Sequence, residues 1–493
     1  MIDVAAHERG FTMENNHVLP PGPKGLPFLG NILQFRHDQL NYLHALQRTY
    51  GNMATIYIGK TPVVILFRPE HVRYILTENP RNFTNREVAG GLIFGNMLVL
   101  SLLARNFTDE VTGGLEALLG DGLLTSDGDF HHQQRRLMMP AFHKRRVDSY
   151  ADLTVQYTRE MLEQWYPGSE IDFACAVQEL ILRIIVKILV DIDVNDQQGE
   201  IGHLIDELLL HPIGLLEGLL RLNINLPITP YGKRMATRRK ADAFVYDIID
   251  RRKAEKRDVG DVLSMLLHAQ DEGKVMTREQ VRNQLMTVIA AGHETTTNSL
   301  LWTFYLLSEH PTVREKLLSE IQTVLAGRDP KMDDLPNLPY LDWVIKESMR
   351  FYPSAWTQGR QAVKEFDLDG YHFRAGTLLM FSQWALHHLP DVWGDPEMFR
   401  PERWNPKSEQ EAPTRAYFPF GGGSRICIGT SLAQMEVRLV AATILQRYTL
   451  RLVPGFPVVP QPLITLRPKY GLHMIAEPAP AHMARSDAVR AEV

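Results

Sequence analysis

The stretch Thr277–His310 constrains this chain more than any other. Thr277 followed by Gln280 forms a capping box, and Pro311 cannot continue a helix, so local chemistry sets both ends. At about 1.5 Å per residue the span predicts a rod of ~51 Å, with Leu285, Ile289, Leu300 and Leu301 on its buried faces. A helix that long runs through the middle of a large, mainly helical domain. Its centre reads Ala290-Ala291-Gly292-His293-Glu294-Thr295-Thr296-Thr297. Glycine and three threonines are poor central helix formers, and a weak point in a buried helix is where function concentrates.

The rest of the chain supports one domain. Four prolines between Pro20 and Pro27 favour an extended run. Ala54–Ile58 and Val63–Phe67 read as strands around a Gly59-Lys60 turn, residues 128–350 read as mostly helical, and short strands return at Thr449–Val453 and Leu463–Leu466. We expect a single domain over 18–477, flanked by disordered segments at 1–17 and 478–493. Lys plus Arg total 53 against 58 Asp plus Glu, a net charge of −5, which argues against a nucleic-acid partner. Two cysteines cannot build a disulfide framework. No signal-peptide core fits residues 1–17, and neither Leu92–Ala104 nor Leu208–Leu222 is clean enough to span a bilayer. A cytoplasmic protein without a transmembrane anchor is expected. Leu208–Leu222 reads as core or substrate-channel wall, with contact to a membrane surface as the alternative.

The chemistry concentrates in Phe418-Pro419-Phe420-Gly421-Gly422-Gly423-Ser424-Arg425-Ile426-Cys427-Ile428-Gly429. A Gly-rich loop presents one cysteine, and an amphipathic helix follows (Leu432, Ala433, Met435, Val437, Leu439, Val440). Amide N–H groups and the dipole at a helix start favour a thiolate, which suits a metal whose macrocycle lies close to backbone. A buried free cysteine after a turn is the plain alternative. A phosphate loop fits less well, because no Lys-Ser/Thr follows the glycines. His293-Glu294 does not begin a zinc motif, because position 297 is Thr where a second His is needed.

Phe420-x-x-Gly423-x-x-x-Cys427-x-Gly429 resembles the haem-binding loop of the cytochrome P-450 superfamily. Three further segments resemble that family's motifs in the family's order: Ala291–Thr296, Glu347-Ser348-Met349-Arg350 and Pro401-Glu402-Arg403-Trp404. The resemblance spans roughly residues 18–475. It implies a mainly α fold with a smaller β-rich region and the long helix over haem b, with Cys427 as axial iron ligand. It makes Glu347, Arg350 and Arg403 a buried structural network bracing the Cys loop. His131 (where the family often has Trp), Arg135, Arg360 and Arg425 become donors to the haem propionates. Thr295 becomes the hydrogen-bond partner of dioxygen and Glu294 a proton relay. Ala291, Ala355, Trp356 and Thr357 are expected to line the substrate pocket.

The implied activity is that of a haem-thiolate monooxygenase placing one atom of O2 in a hydrophobic substrate such as a fatty acid or terpenoid. Electrons would come from NAD(P)H through a ferredoxin or flavodoxin and its reductase, delivered to a monomer. The basic run His143-Lys144-Arg145-Arg146 is a candidate docking site, or simply a solvated face. A peroxygenase or isomerase, and a haem-based binder without turnover, are the alternatives. The intact Glu294-Thr295 pair weighs against both.

Overall fold

A computed structural model describes residues 19–85, 119–193, 229–271, 273–408 and 413–479. Leu92–Ala104, Leu208–Leu222, residues 1–17 and the tail from 480 lie outside them. The central helix runs Arg278–Glu309 and is capped as its sequence requires: the Thr277 side chain accepts from Gln280 N, and Thr277 N donates to Gln280 Oε1. Its main neighbour is the helix Phe173–Val190. From Leu180 onward that helix is apolar on almost every face and buried nearly all round, whereas its first turns expose Cys175 and Glu179. The helices Pro339–Phe351 and Thr430–Arg447 pack on other faces of the central helix.

A five-stranded sheet flanks this bundle. Met53–Ile58 and Thr61–Leu66 form a hairpin across Gly59-Lys60 with Ile58 opposite Thr61. Leu378–Phe381 lies parallel to the second strand, Gln358–Ala362 pairs antiparallel with that, and Phe83–Thr84 closes the edge. Both faces are covered, which explains the unbroken apolar run Val63–Leu66. Val63 and Ile65 join a cluster with Trp302 and Trp356, whereas Val64 and Leu66 face Phe373, Leu379 and Phe381.

Two expectations shift at their edges. Leu463–Leu466 is not one strand: Pro460–Pro462 pairs with Leu466–Pro468, and Leu463–Thr465 is the turn between them. Leu463 N donates to Thr465 O, and Trp356 Nε1 holds Leu463 O, so the apolar run is spent on a tethered turn. The last strand, His473–Pro478, reaches into the expected tail, and Ala479 N donates to Arg447 O.

Candidate active site around Cys427

The Cys loop is shaped by its glycines. Gly421 and Gly423 have φ of 72° and 63°, the left-handed region that glycine enters freely. A Cβ on Gly423 would lie 1.7 Å from Leu76 O, so the backbone approach itself requires glycine. Cys427 N donates to Phe420 O (2.9 Å), closing the loop, and Thr430 Oγ1 donates to Cys427 O (2.8 Å) at the start of the next helix. Cys427 keeps accessible surface yet is ringed by protein. Burial pushes its thiol up, against the Gly429 N–H, the Thr430 hydroxyl and Arg135, which favour thiolate. The helix start thus acts in the direction its sequence suggests, and desolvation outweighs it.

Behind the loop, Glu347 has no accessible side-chain surface and accepts five hydrogen bonds. Arg350 grips both its oxygens (Nε–Oε2 3.0 Å, Nη2–Oε1 2.9 Å), and Arg403 Nε adds 2.9 Å. Arg400 N and Trp404 Nε1 complete the set. The network reaches the Cys loop through His387. Arg350 Nη1 donates to His387 O, and the His387 ring accepts from Phe418 N. Sequence motifs pointed to Glu347, Arg350 and Arg403. Trp404 stood beside them in the same segment, whereas nothing local marked His387.

A second group gathers basic side chains. His131 and Arg135 share the helix Gly128–Met138, Arg360 lies in the strand Gln358–Ala362, and Arg425 ends the turn Gly423–Arg425. Burial, then Arg425, His132 and Arg135, push His131 down to about 3. Burial, then Arg425, push Arg360 down to about 10. Burial lowers Arg135 while Cys427 opposes it, which places Arg135 within electrostatic reach of the sulfur. Arg425 pairs with Asp127, whose carboxylate also accepts from the Asn85 N–H. The other Arg425 nitrogen, Nη1, is buried without a hydrogen-bond partner. Clustered, partly desolvated guanidinium groups beside an unpartnered Arg425 Nη1 make a receptor for anionic oxygen.

The central helix is tied to this group: Gln284 Nε2 donates to Gln134 Oε1, between His131 and Arg135 in sequence. Ala291 is exposed, and Glu294 and Thr295 are half-exposed. Thr295 Oγ1 donates to Ala291 O (2.6 Å), and Thr295 O accepts from Ser354 Oγ (2.9 Å), which sets half-exposed Ala355 beside it. Not every small or apolar residue expected here belongs to an open wall. A Cβ on Gly292 would meet Ile185 Cδ1 at 2.2 Å, so Gly292 serves helix packing. Trp356 is 1% exposed, packed with Trp302 in the core. Thr357 is buried and donates to Phe381 O. His293 is also buried, its ring on Gln178 O.

The family model for Cytochrome P450 matches residues 20–94 and 102–474. Cyclooctat-9-en-7-ol 5-monooxygenase of Streptomyces melanosporofaciens is 34% identical over 447 residues, covering 88% of this chain and 90% of that protein. Pentalenene oxygenase of Streptomyces avermitilis is 30% identical over 462 residues, covering 92% and 96%. Among solved structures, retinoic acid bound cyanobacterial CYP120A1 matches with a TM-score of 0.79 at 26% identity, covering 94% of this chain and 100% of that one.

Proposed function

Since the chain belongs to the cytochrome P450 family and is a monooxygenase of it, we propose that its substrate is a cyclic terpenoid alkene or alcohol. Electrons reach it from NAD(P)H through a separate ferredoxin or flavodoxin and its reductase. Relatives whose names specify cyclooctat-9-en-7-ol and pentalenene support the substrate class. One oxygen atom enters the substrate and the other leaves as water, consuming two electrons and two protons.

The residues present suit haem. Cys427 offers a sulfur on a loop whose glycines carry no side chain, and the unpartnered Arg425 Nη1 suits a propionate oxygen. His131, Arg135, Arg360 and Arg425 would hold the propionates, and Cys427 the iron. Bound there, haem supplies the redox chemistry of dioxygen. The chain's own part is positioning and proton supply. Glu347, Arg350 and Arg403 keep the Cys loop in register. The Thr295 hydroxyl, which donates to Ala291 O, would be placed to hold dioxygen, and Glu294, whose carboxylate oxygens are buried, would relay protons inward. Ala291 and Ala355 leave room for a bulky hydrocarbon next to Thr295.

The observation that carries this reading is the gathering, near Cys427, of buried Arg360, half-buried Arg135 and Arg425, and the buried imidazole of His131. Two measurements test it. Cyclic terpenoid alkenes should shift the Soret band of the holoprotein, fatty acids less so. Product should require NAD(P)H with reductase and ferredoxin. Product formed only with added peroxide would make it a peroxygenase, and a spectral shift without product a binder.

A further inference from the structure

Asp127 stands where a helix cap is expected, and its side chain does not cap. It precedes the helix Gly128–Met138 yet makes no side-chain bond to the first turn, a bond worth about 1 kcal/mol at a typical helix start. The carboxylate serves other segments instead. It accepts from Thr84 Oγ1, from the Asn85 N–H at 3.0 Å and from Arg425 Nη2. The Asp127 carbonyl accepts the His131 N–H at 3.3 Å. Thr84 in turn lies opposite Gln361, on the strand that carries Arg360. One residue thus reaches, directly or through one strand pairing, every element that bears His131, Arg135, Arg360 or Arg425.

The charges point the same way. Asp127 lies within electrostatic reach of His131, Arg360 and Arg425 and favours the protonated form of each against burial. Burial keeps His131 neutral all the same, so the positive charge of the group rests on Arg135, Arg360 and Arg425. Two propionates would bring two negative charges to three guanidinium groups, and Asp127 supplies the third. It also divides Arg425: Nη2 is held on the carboxylate, while Nη1 is buried without a hydrogen-bond partner. A planar guanidinium fixed along one edge has little freedom left, so its open edge is aimed before any ligand arrives.

We propose that Asp127 is a positioning residue of this site: it fixes Arg425 so that Nη1 meets a propionate, and its charge holds the reduction potential of the bound haem down. A fixed negative charge opposes an electron added nearby, and Asp127, only 17% exposed, is weakly screened by salt. Removing that charge makes reduction easier. The inference rests on the haem reading above and adds to it a residue outside the four motifs that carry the resemblance.

The test is the midpoint potential of the substrate-free holoprotein, read by spectroelectrochemistry. Each protein is first checked for the long-wavelength Soret band of its reduced carbon monoxide complex. A wild type without that band would remove the haem-thiolate reading itself; with the band present, the potentials judge Asp127 alone. Asp127→Asn keeps the shape of the side chain and loses its charge. Its midpoint should rise by about 59 mV, a tenfold change in a one-electron equilibrium, and Asp127→Ala should rise with it. Asp127→Glu keeps the charge and should stay near wild type. Thr84→Val removes one bond to the carboxylate and no charge, so its midpoint should not move. Four results would overturn the proposal. One is a wild-type potential in Asp127→Asn. Another is a rise in Asp127→Glu equal to that of Asp127→Asn. The third is an equal rise in Thr84→Val, which would assign the effect to the tether and not to the charge. The fourth is loss of haem from both neutral variants, which would make Asp127 a support of the fold alone.

Discussion

Arg350 and Glu347 meet as a two-pronged pair with no accessible side-chain surface on either partner. Three residues apart on a helix, such a pair would be worth only ~0.3–0.5 kcal/mol at the surface. Buried and shared with Arg403, it becomes a network in which each charge depends on the others. Glu347→Gln should leave two guanidinium groups short of a counter-charge and cost about 3–5 kcal/mol. Urea unfolding of the holoprotein, followed by circular dichroism, checks this. A loss below about 1 kcal/mol, the range of an exposed pair, would show that the network does not brace the fold.

Thr295 has a partner already, the Ala291 carbonyl at 2.6 Å. Losing one hydrogen bond costs about 1 kcal/mol, so Thr295→Ala should fold and take up haem. If the hydroxyl steadies dioxygen, more peroxide should form per NAD(P)H consumed, and Thr295→Ser should restore coupling. Unchanged coupling in Thr295→Ala would reduce the residue to a packing role beside Ser354.

What the sequence discloses here depends on distance along the chain. The central helix was legible end to end because Thr277, Gln280 and Pro311 act locally. Cys427 and Glu347–Arg350 were legible because their motifs are short. The Arg425–Asp127 pair was not: its partners are 298 residues apart, and Asp127 resembles an ordinary helix cap. It makes no side-chain cap bond and spends its carboxylate on Arg425, Thr84 and the Asn85 N–H instead. Trp356 is expected in the pocket because the resemblance places the segment Ser354–Thr357 there. The tertiary pairing with Trp302 and Leu463 turns it into the core, and such pairings leave no periodic trace in so short a loop.

His293 supplies a pH dependence. Burial holds its ring neutral, down to about 4, with Nε2–H on Gln178 O and Nδ1 unpartnered. An unfolded histidine titrates near 6.5, so between about 6.5 and 4 the unfolded chain binds more protons. Stability therefore rises with pH through that window and is lost as pH falls through it, about 3 kcal/mol in total and about 2 of it by pH 5. His293→Gln keeps a donor for Gln178 and cannot titrate. Its holoprotein should lose correspondingly less stability between pH 7 and pH 5 than wild type in urea unfolding. Parallel losses would place the acid sensitivity in other buried histidines such as His387.

The basic run after the His131 helix is less uniform than its sequence suggests. Lys144 pairs with Asp148 at 2.9 Å, although it is 75% exposed, and Arg146 is half-buried with its guanidinium turned toward Gly260. Arg145 remains exposed. These residues occupy the short helix Lys144–Asp148, which packs on Thr430–Arg447, the helix that follows Cys427. A docked electron donor there would sit on the sulfur side of the site. Exposed charges are screened within ~8–10 Å at physiological salt, so reduction by an acidic ferredoxin or flavodoxin should slow as salt rises. Lys144→Gln with Arg145→Gln should raise the partner concentration needed for half-maximal reduction and leave substrate binding unchanged. Arg146→Gln should add little, because its charge is turned inward. Stopped-flow reduction insensitive to both salt and the double change would move the docking face elsewhere on the molecule.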